Sequence, residues 1–216
     1  MLNKMSQIIS IFAQPKLFKL LMSMNTKGYL NDIGWIKSFN QKLPVDKNNN
    51  PLPWVTYSFI DFISGRLTNS MDIFEYGSGN STLWYSKKVK SVTSVEHDSE
   101  WYEKIKNSMP DNVTIYHENL VYNEAYCHFS STLNKHFDVI IIDGRDRVNC
   151  IKNVLNSLKE NGIIVLDDSE REQYNEGIEY LLDKNFKKID FWGISPGAFF
   201  NKCTTIFYKN ENCIGL

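Results

Sequence analysis

Residues 137–142 read FDVIII, a near-continuous apolar run rich in β-branched side chains. Such a run marks a strand buried on both faces, the situation of a central strand in a parallel sheet. Parallel neighbours need crossovers of roughly ten or more residues, so strand and helix patterns have to alternate around it. Upstream, MDIFEY (71–76) is a compact apolar run, and TLWYSKKV (82–89) can start a helix after the small residues Ser81 and Thr82. SVTSVE (91–96) is β-branched, Asp98 or Ser99 caps a helix over EWYEKIKNSM (100–109), and Pro110 closes it. VTIYH (113–117) is a third strand, followed by a loop of little pattern from Glu118 to Lys135. Downstream, Val148, Ile151, Leu155 and Leu158 predict a helix ending at Asn161-Gly162, and IIVL (163–166) is the fifth strand.

The C-terminal pattern differs. A helix over Glu176 to Lys184 leads to FKKIDF (186–191), then a loop with Pro196 and Gly197, then CTTIFYK (203–209). No crossover helix fits between these last two strands, so they are expected to pair antiparallel. The expected architecture is α/β: a three-layer α/β/α sandwich around a mostly parallel seven-stranded sheet with an antiparallel last strand. Ahead of it, Val55, Phe59, Phe62, Ile63 and Leu67 share one helical face. DKNNNPLP (46–53) reads as the joint between an N-terminal helical extension, residues 1–50, and the main domain, residues 51–216.

Composition narrows the function classes. With 216 residues, 42% of them hydrophobic, the chain can bury one substantial core. Lysine and arginine number 24 against 25 acids, and a net charge near -1 gives no field to draw in nucleic acid or an anionic membrane, which favours a small-molecule partner. Cys127, Cys150, Cys203 and Cys213 are widely spaced without a C-x-x-C pair, so neither a zinc site nor a disulfide framework is indicated and a reducing cytoplasm fits. Gln14, Pro15 and Lys16 interrupt the N-terminal apolar run too early for an export signal or a transmembrane segment. Lys16 to Met24 is expected as a short amphipathic helix packed on the domain or in a homodimer contact, in preference to lying on a membrane surface.

The loop after the first strand carries most of the functional signal. In open parallel sheets ligands sit beyond the carboxyl ends of the strands. Gly77 and Gly79 let main-chain N–H groups approach a ligand there, and the following helix adds a positive dipole end suited to a carboxylate or phosphate. The dinucleotide fingerprint G-x-G-x-x-G is the nearest competitor, but its third glycine is Thr82 here. Glu75, two residues before the first glycine, would favour a cation, and Glu96, at the end of the second strand, can accept from both hydroxyls of a ribose. The implied ligand has a ribose, a positive charge and an anionic group.

These residues resemble those of the class I S-adenosylmethionine-dependent methyltransferases. EYGSGNST (75–82) is similar to their first motif, SVEHD (94–98) to their ribose-binding acid, and FDVIIIDGRDR (137–147) to their fourth-strand motif. The resemblance covers roughly Pro51 to Lys209, and NPLPW, DFWG and TTIFY resemble a group of small bacterial methyltransferases. It implies a Rossmann-like methyltransferase fold and S-adenosylmethionine as cofactor. It further implies that Gly77, Ser78 and Gly79, flanked by Tyr76 and Ser81, pack against the methionine part, with Glu75 near its ammonium. Glu96 would hold the ribose, with His97 beside the adenine and Asn119, or Glu118, at the adenine edge. Trp54 and Tyr57 would cover the cofactor, or else pack in the core.

Asp143 ends the fourth strand, and Asp167 and Asp168 end the fifth. Three carboxylates at neighbouring strand ends resemble the cation-dependent O-methyltransferases, which hold a hard divalent ion there. Those enzymes usually show Asp-Asn where this chain has Asp167-Asp168-Ser169, so metal dependence stays open. The other reading is a capping box of Ser169 and Glu172 with a salt bridge to Arg145 or Arg171. Arg145 and Arg147 either face an anionic substrate or pair with Asp146 or Asp168. The loop from Gly193 to Lys202 either closes over the acceptor or is an apolar turn. The expected activity is methyl transfer to oxygen of a small molecule or glycan precursor, with Asp143, Asp168 and Arg145 as catalytic candidates and Asp143 also among the cofactor-binding residues. An NAD-dependent oxidoreductase and a non-catalytic protein that binds S-adenosylmethionine and acts through a partner are the rivals.

Overall fold

The computed structural model describes residues 13–216. The first residues of the N-terminal stretch, on which the reading of an absent export signal partly rests, lie outside the described residues. The strands are β1 (Asp72–Tyr76), β2 (Ser91–Glu96), β3 (Val113–His117), β4 (Phe137–Ile142), β5 (Leu158–Asp167), β6 (Lys187–Ser195) and β7 (Ala198–Tyr208). They form one sheet in the order β3-β2-β1-β4-β5-β7-β6. The first five run parallel, and β7 enters between β5 and β6, antiparallel to both. Strand order reverses between β1 and β4, so the loops leaving their carboxyl ends part in opposite directions and open a crevice.

Period-2 alternation along the central strands gives each sheet face its own core. Ile73, Val139, Ile141, Ile163, Val165 and Ile206 point to one side, where they meet Phe59, Ile60 and Ile63 of the helix Tyr57–Ser64 and Tyr85 of the helix Asn80–Ser86. Phe74, Ile140, Ile142, Ile164, Leu166 and Phe207 point to the other. That side is covered by Tyr126 and Cys127 of the helix Ala125–Thr132, Ile151 of the helix Arg147–Asn153 and Leu181 of the helix Asn175–Asp183. Asp98 caps the helix Ser99–Ile105 by accepting from Trp101 N–H at 2.9 Å, as the sequence suggests.

Three local expectations fail, each for a physical reason. The stretch 118–135 is not all loop: Ala125–Thr132 is helical, and its burial of Tyr126, Cys127 and Ser130 against the sheet replaces the clean apolar stripe that a sequence search needs. The helix after β4 ends at Asn153 and a short 3-10 turn, and β5 begins at Leu158, so Asn161-Gly162 lies within a strand. There β5 breaks its register with β4 between Leu158 and Ile163, which accommodates the Asn-Gly pair, and the Asn161 carbonyl accepts from Cys213 N–H at 2.7 Å. Residues 193–202 are not an open loop: β6 and β7 pair as far as Ser195↔Ala198, which leaves Pro196 and Gly197 as a tight turn, and Ser195, Ala198, Phe200 and Lys202 line a cleft.

That hairpin tip docks on the N-terminal segment. Among the described residues the helices here are Pro15–Ser23, Tyr29–Asp32 and Trp35–Gln41. The first of them buries no side chain, and no described helix is long and apolar enough to cross a membrane. The third is tied down: Trp35 Nε1 donates to Ala198 O at 2.9 Å, and its ring meets Phe199 edge-on at 5.4 Å. Gly197 holds φ at 69° with the backbone of Ser38 and Phe39 3.0 Å from where a Cβ would stand. Gly197→Ala is therefore expected to lose about 2 kcal/mol of stability through left-handed strain and overpacking, read from the urea midpoint.

Candidate functional site

A cleft of about 360 Å³ opens at the crevice between β1 and β4. Gly77, with φ at 96°, turns the chain out of β1 and donates its N–H to Val95 O at 2.9 Å. A Cβ at Gly77 would stand 3.4 Å from the Gly144 backbone, so the loops that follow β1 and β4 meet at this point. Thr82, in place of the third fingerprint glycine, closes the turn from inside. Its hydroxyl accepts from Gly79 N–H at 3.0 Å and donates to Glu75 Oε2 at 2.6 Å. Glu75 is 1% exposed and, among the described residues, has no cation beside it. Burial pushes its carboxyl up to about 8, and the charges of Asp143 and Glu96 add to that against hydrogen bonds from Ser81 and Thr82. The cleft thus holds a buried acid that a positive ligand would ionise.

Glu96 is built into the opposite wall. Its Oε2 accepts from Ser78 N–H at 3.0 Å, and its Oε1 accepts from the N–H groups of His97 and Asp98, both at 2.9 Å. A carboxylate offers about four lone-pair sites, so these three bonds fix its orientation and leave room for a further donor. His97 Nδ1 lies 2.9 Å from Oε1 without hydrogen-bond alignment. Ser78 Oγ meets Ser94 Oγ at 2.5 Å, and Ser78 O accepts from Trp101 Nε1 at 2.8 Å.

Of the residues singled out from the sequence, Glu75, Gly77, Ser78, Gly79, Ser81, Glu96, His97, Asp143 and Arg145 line this cleft. Tyr76 does not. Alternation along β1 places it on the face opposite Glu75, where its hydroxyl donates to Cys127 O at 2.9 Å in the core. Asn119 is not among the lining residues, and Glu118 contributes only its N–H, bonded to Glu96 O at 3.0 Å. Sequence reasoning missed Trp101, Leu43 and Pro44. Trp101 reaches the glycine loop because its helix folds back along β2, and Pro44 is held there by Asn80 Nδ2, which donates to its carbonyl at 2.8 Å. No local signal marks either contact.

A second cleft of about 390 Å³ adjoins the first and shares Trp54 and Asp143 with it. Trp54 is about half exposed and faces both, whereas Tyr57 is buried in the core. The floor is ionic. Lys202 Nζ donates to Asp167 Oδ2 at 2.6 Å and Trp54 O at 3.2 Å, and forms an ion pair with Asp168 Oδ1 at 2.8 Å. Arg147 is buried: it donates to Asp143 Oδ1 at 2.9 Å and to Asp167 O, and lies 3.4 Å from Asp168 Oδ2. It is therefore spent inside the fold and does not face a substrate. Arg171 pairs with Asp168 Oδ2 at 2.8 Å. Arg145 is exposed and forms no ion pair among the described residues. The capping box of Ser169 and Glu172 does not form, because Ser169 Oγ instead meets Thr205 Oγ1 at 2.6 Å on β7.

These surroundings divide the acids. Burial raises Asp143 above the ordinary carboxylate range, although Arg147 and Lys202 pull it down. Burial also raises Asp167, with the Asp143 charge adding to it. For Asp168 burial acts in the same direction, but Lys202, Arg147 and Arg171 together outweigh it and hold the group below its usual value.

Residues 74–169 match the family described as a methyltransferase domain. Among solved structures the chain is similar to precorrin-6y C5,15-methyltransferase from Geobacter metallireducens GS-15, at 14% identity and a TM-score of 0.57 over 80% of this chain and 96% of that one. It is similar to a methyltransferase-like protein from Silicibacter pomeroyi, at 20% identity and a TM-score of 0.52 over 74% and 89%. A spermidine synthase from Thermotoga maritima is also similar, at 15% identity and a TM-score of 0.52 over 68% and 56%. No curated protein sequence matches the chain. Identities this low establish a shared fold, and the reaction has to be argued from the site.

Glu75 makes the ligand-free protein pH-sensitive in a defined direction. Its folded pKa, about 8, lies above the ordinary 4.5, so its contribution to stability is present below about pH 4.5 and is lost as pH rises toward 8. Glu75→Gln is expected to raise the Tm relative to wild type at about pH 8 and to leave it nearly unchanged at about pH 4.5, read by calorimetry without ligand.

Proposed function

Because the chain has the class I S-adenosylmethionine-dependent methyltransferase fold and a methyltransferase-domain match over residues 74–169, we propose that it moves a methyl group from S-adenosylmethionine to a hydroxyl oxygen of a small molecule or glycan precursor. The observation that carries this reading is the junction of two clefts at Asp143 and Trp54, one suited to the cofactor and one to an acceptor.

The residues of the first cleft fit the cofactor. Glu75 is a buried acid without a cation among the described residues, which suits the ammonium of the methionine part, and the Gly77–Gly79 backbone leaves that part room. Glu96 has acceptor capacity left for a ribose hydroxyl, and His97 and Trp101 offer ring faces to the adenine. When bound, the cofactor supplies a methyl group already activated by its positive sulfur, so the protein has to align the acceptor and keep water out. A pyrophosphate would face Glu75 and gain nothing from it, which disfavours a nicotinamide dinucleotide.

Asp143 is the group placed to take the acceptor's proton. It lies where the clefts meet, burial brings its pKa nearer neutrality than a free carboxylate, and Arg147 fixes its direction. Asp168, held ionised among three cations, serves as a positioning residue. Trp54 and Phe200 flank the acceptor, and Arg145, which lines the first cleft and forms no ion pair among the described residues, can hold an anionic group there.

S-adenosylhomocysteine is expected to raise the Tm and NAD to leave it unchanged; the opposite pattern refutes the reading. Affinity for S-adenosylhomocysteine should rise from about pH 6 to about pH 8 as Glu75 gives up its proton, and calorimetry in buffers of different ionisation enthalpy should detect the proton released. Glu96→Ala is expected to weaken binding about 10- to 100-fold. With a hydroxyl acceptor in hand, Asp143→Ala should keep cofactor binding while lowering kcat by about 10²- to 10⁴-fold.

A further inference from the structure

Asp143, Asp167 and Asp168 together are the kind of oxygen-rich cluster that takes a hard divalent ion in other enzymes. In this protein the cluster does not fit one. A magnesium ion needs its oxygens at about 2.1 Å in octahedral array. The space between Asp167 and Asp168 is instead filled by Lys202 Nζ, at 2.6 and 2.8 Å from their oxygens, and the Lys202 side chain is 6% exposed. Arg147 holds Asp143, and both Arg147 and Arg171 approach the remaining oxygen of Asp168, so three carboxylates face three cations. The outer oxygen of Asp167 is taken as well, by Thr204 Oγ1 at 2.7 Å.

We propose that Lys202 is a built-in cation that stands where a divalent metal would otherwise sit, and that it makes the acceptor cleft independent of metal. An ammonium has three N–H donors, and here they are directed to Asp167, Asp168 and the Trp54 carbonyl. None is left to ligate the acceptor. Lys202 is therefore a positioning residue: it holds the two acids at the end of β5 and fixes Trp54, which forms the wall between the clefts. The acceptor need not present two neighbouring oxygens for chelation, as a metal site would require, and its activation falls to Asp143.

The test reads metal binding and needs no acceptor, so its failure is separable from failure of the methyl-transfer reading. Manganese(II) is titrated into wild type, Lys202→Ala and Lys202→Ala/Asp168→Asn, with bound ion followed by electron paramagnetic resonance and Tm measured in parallel. Wild type is expected to bind no manganese up to about 1 mM and to keep its Tm in EDTA. Lys202→Ala should lose Tm and recover part of it with manganese, binding the ion at least about tenfold more tightly than wild type. Adding Asp168→Asn should abolish that gain. Micromolar binding by wild type that Asp168→Asn removes overturns the proposal, as does a folded Lys202→Ala that gains no affinity for manganese. If the lysine variants do not fold, the comparison of wild type with Asp168→Asn decides alone: no binding by wild type supports the proposal, and micromolar, Asp168-dependent binding overturns it.

Discussion

A carboxylate buried at the tip of a parallel strand is costly unless a donor or a cation answers it. Here β1, β2 and β5 end in such groups, Asp143 after β4 is partly buried, and each is answered differently. Among the described residues Glu75 receives the Ser81 and Thr82 hydroxyls and no cation, and Glu96 receives backbone N–H groups. Asp143 is met by Arg147, and Asp167 and Asp168 are met by Lys202. The site is thereby divided electrostatically. One cleft keeps an uncompensated acid that calls for a positive ligand, while the other is already neutral and asks its ligand for shape and a transferable proton.

The crevice itself follows from strand order, but its walls come from elsewhere. β1 and β4 are neighbours whose loops separate, and Gly77 allows those loops to touch before they part. The β6–β7 hairpin carries Lys202 under the second cleft and docks its tip on the helix Trp35–Gln41. The same N-terminal segment brings Leu43 and Pro44 to the first cleft. The Trp35–Ala198 and Asn80–Pro44 hydrogen bonds thus tie this segment to parts of the chain that line the two clefts.

The strands were legible wherever burial on both faces leaves an unbroken apolar run, as in FDVIII and IIVL, and so were the glycine loop and its acids. The helix Ala125–Thr132 was hidden because its inward face mixes Tyr126 and Cys127 with Ser130, whose hydroxyl bonds Tyr76 and Ser157. Asn161-Gly162 misled because the same residues that stop a helix also suit a break in strand register, which is where β5 carries them. Tyr76 was drawn into the candidate site by adjacency to Glu75, although neighbours along a strand face opposite sides of the sheet.

The sequence by itself determined the alternating α/β architecture, the antiparallel last strand, and the placement of Glu75, Glu96 and Asp143 at strand ends. These depend on periodicity and chain order, which are local properties. Tertiary structure alone decided which acids stay unanswered. Lys202 reads as the last residue of a loop until β7, which includes it, enters between β5 and β6 and sets Thr204 opposite Asp167, which brings the ammonium to both aspartates. The charge state of the site is fixed by burial and by partners far apart in the chain, and neither is a property of any single stretch of residues.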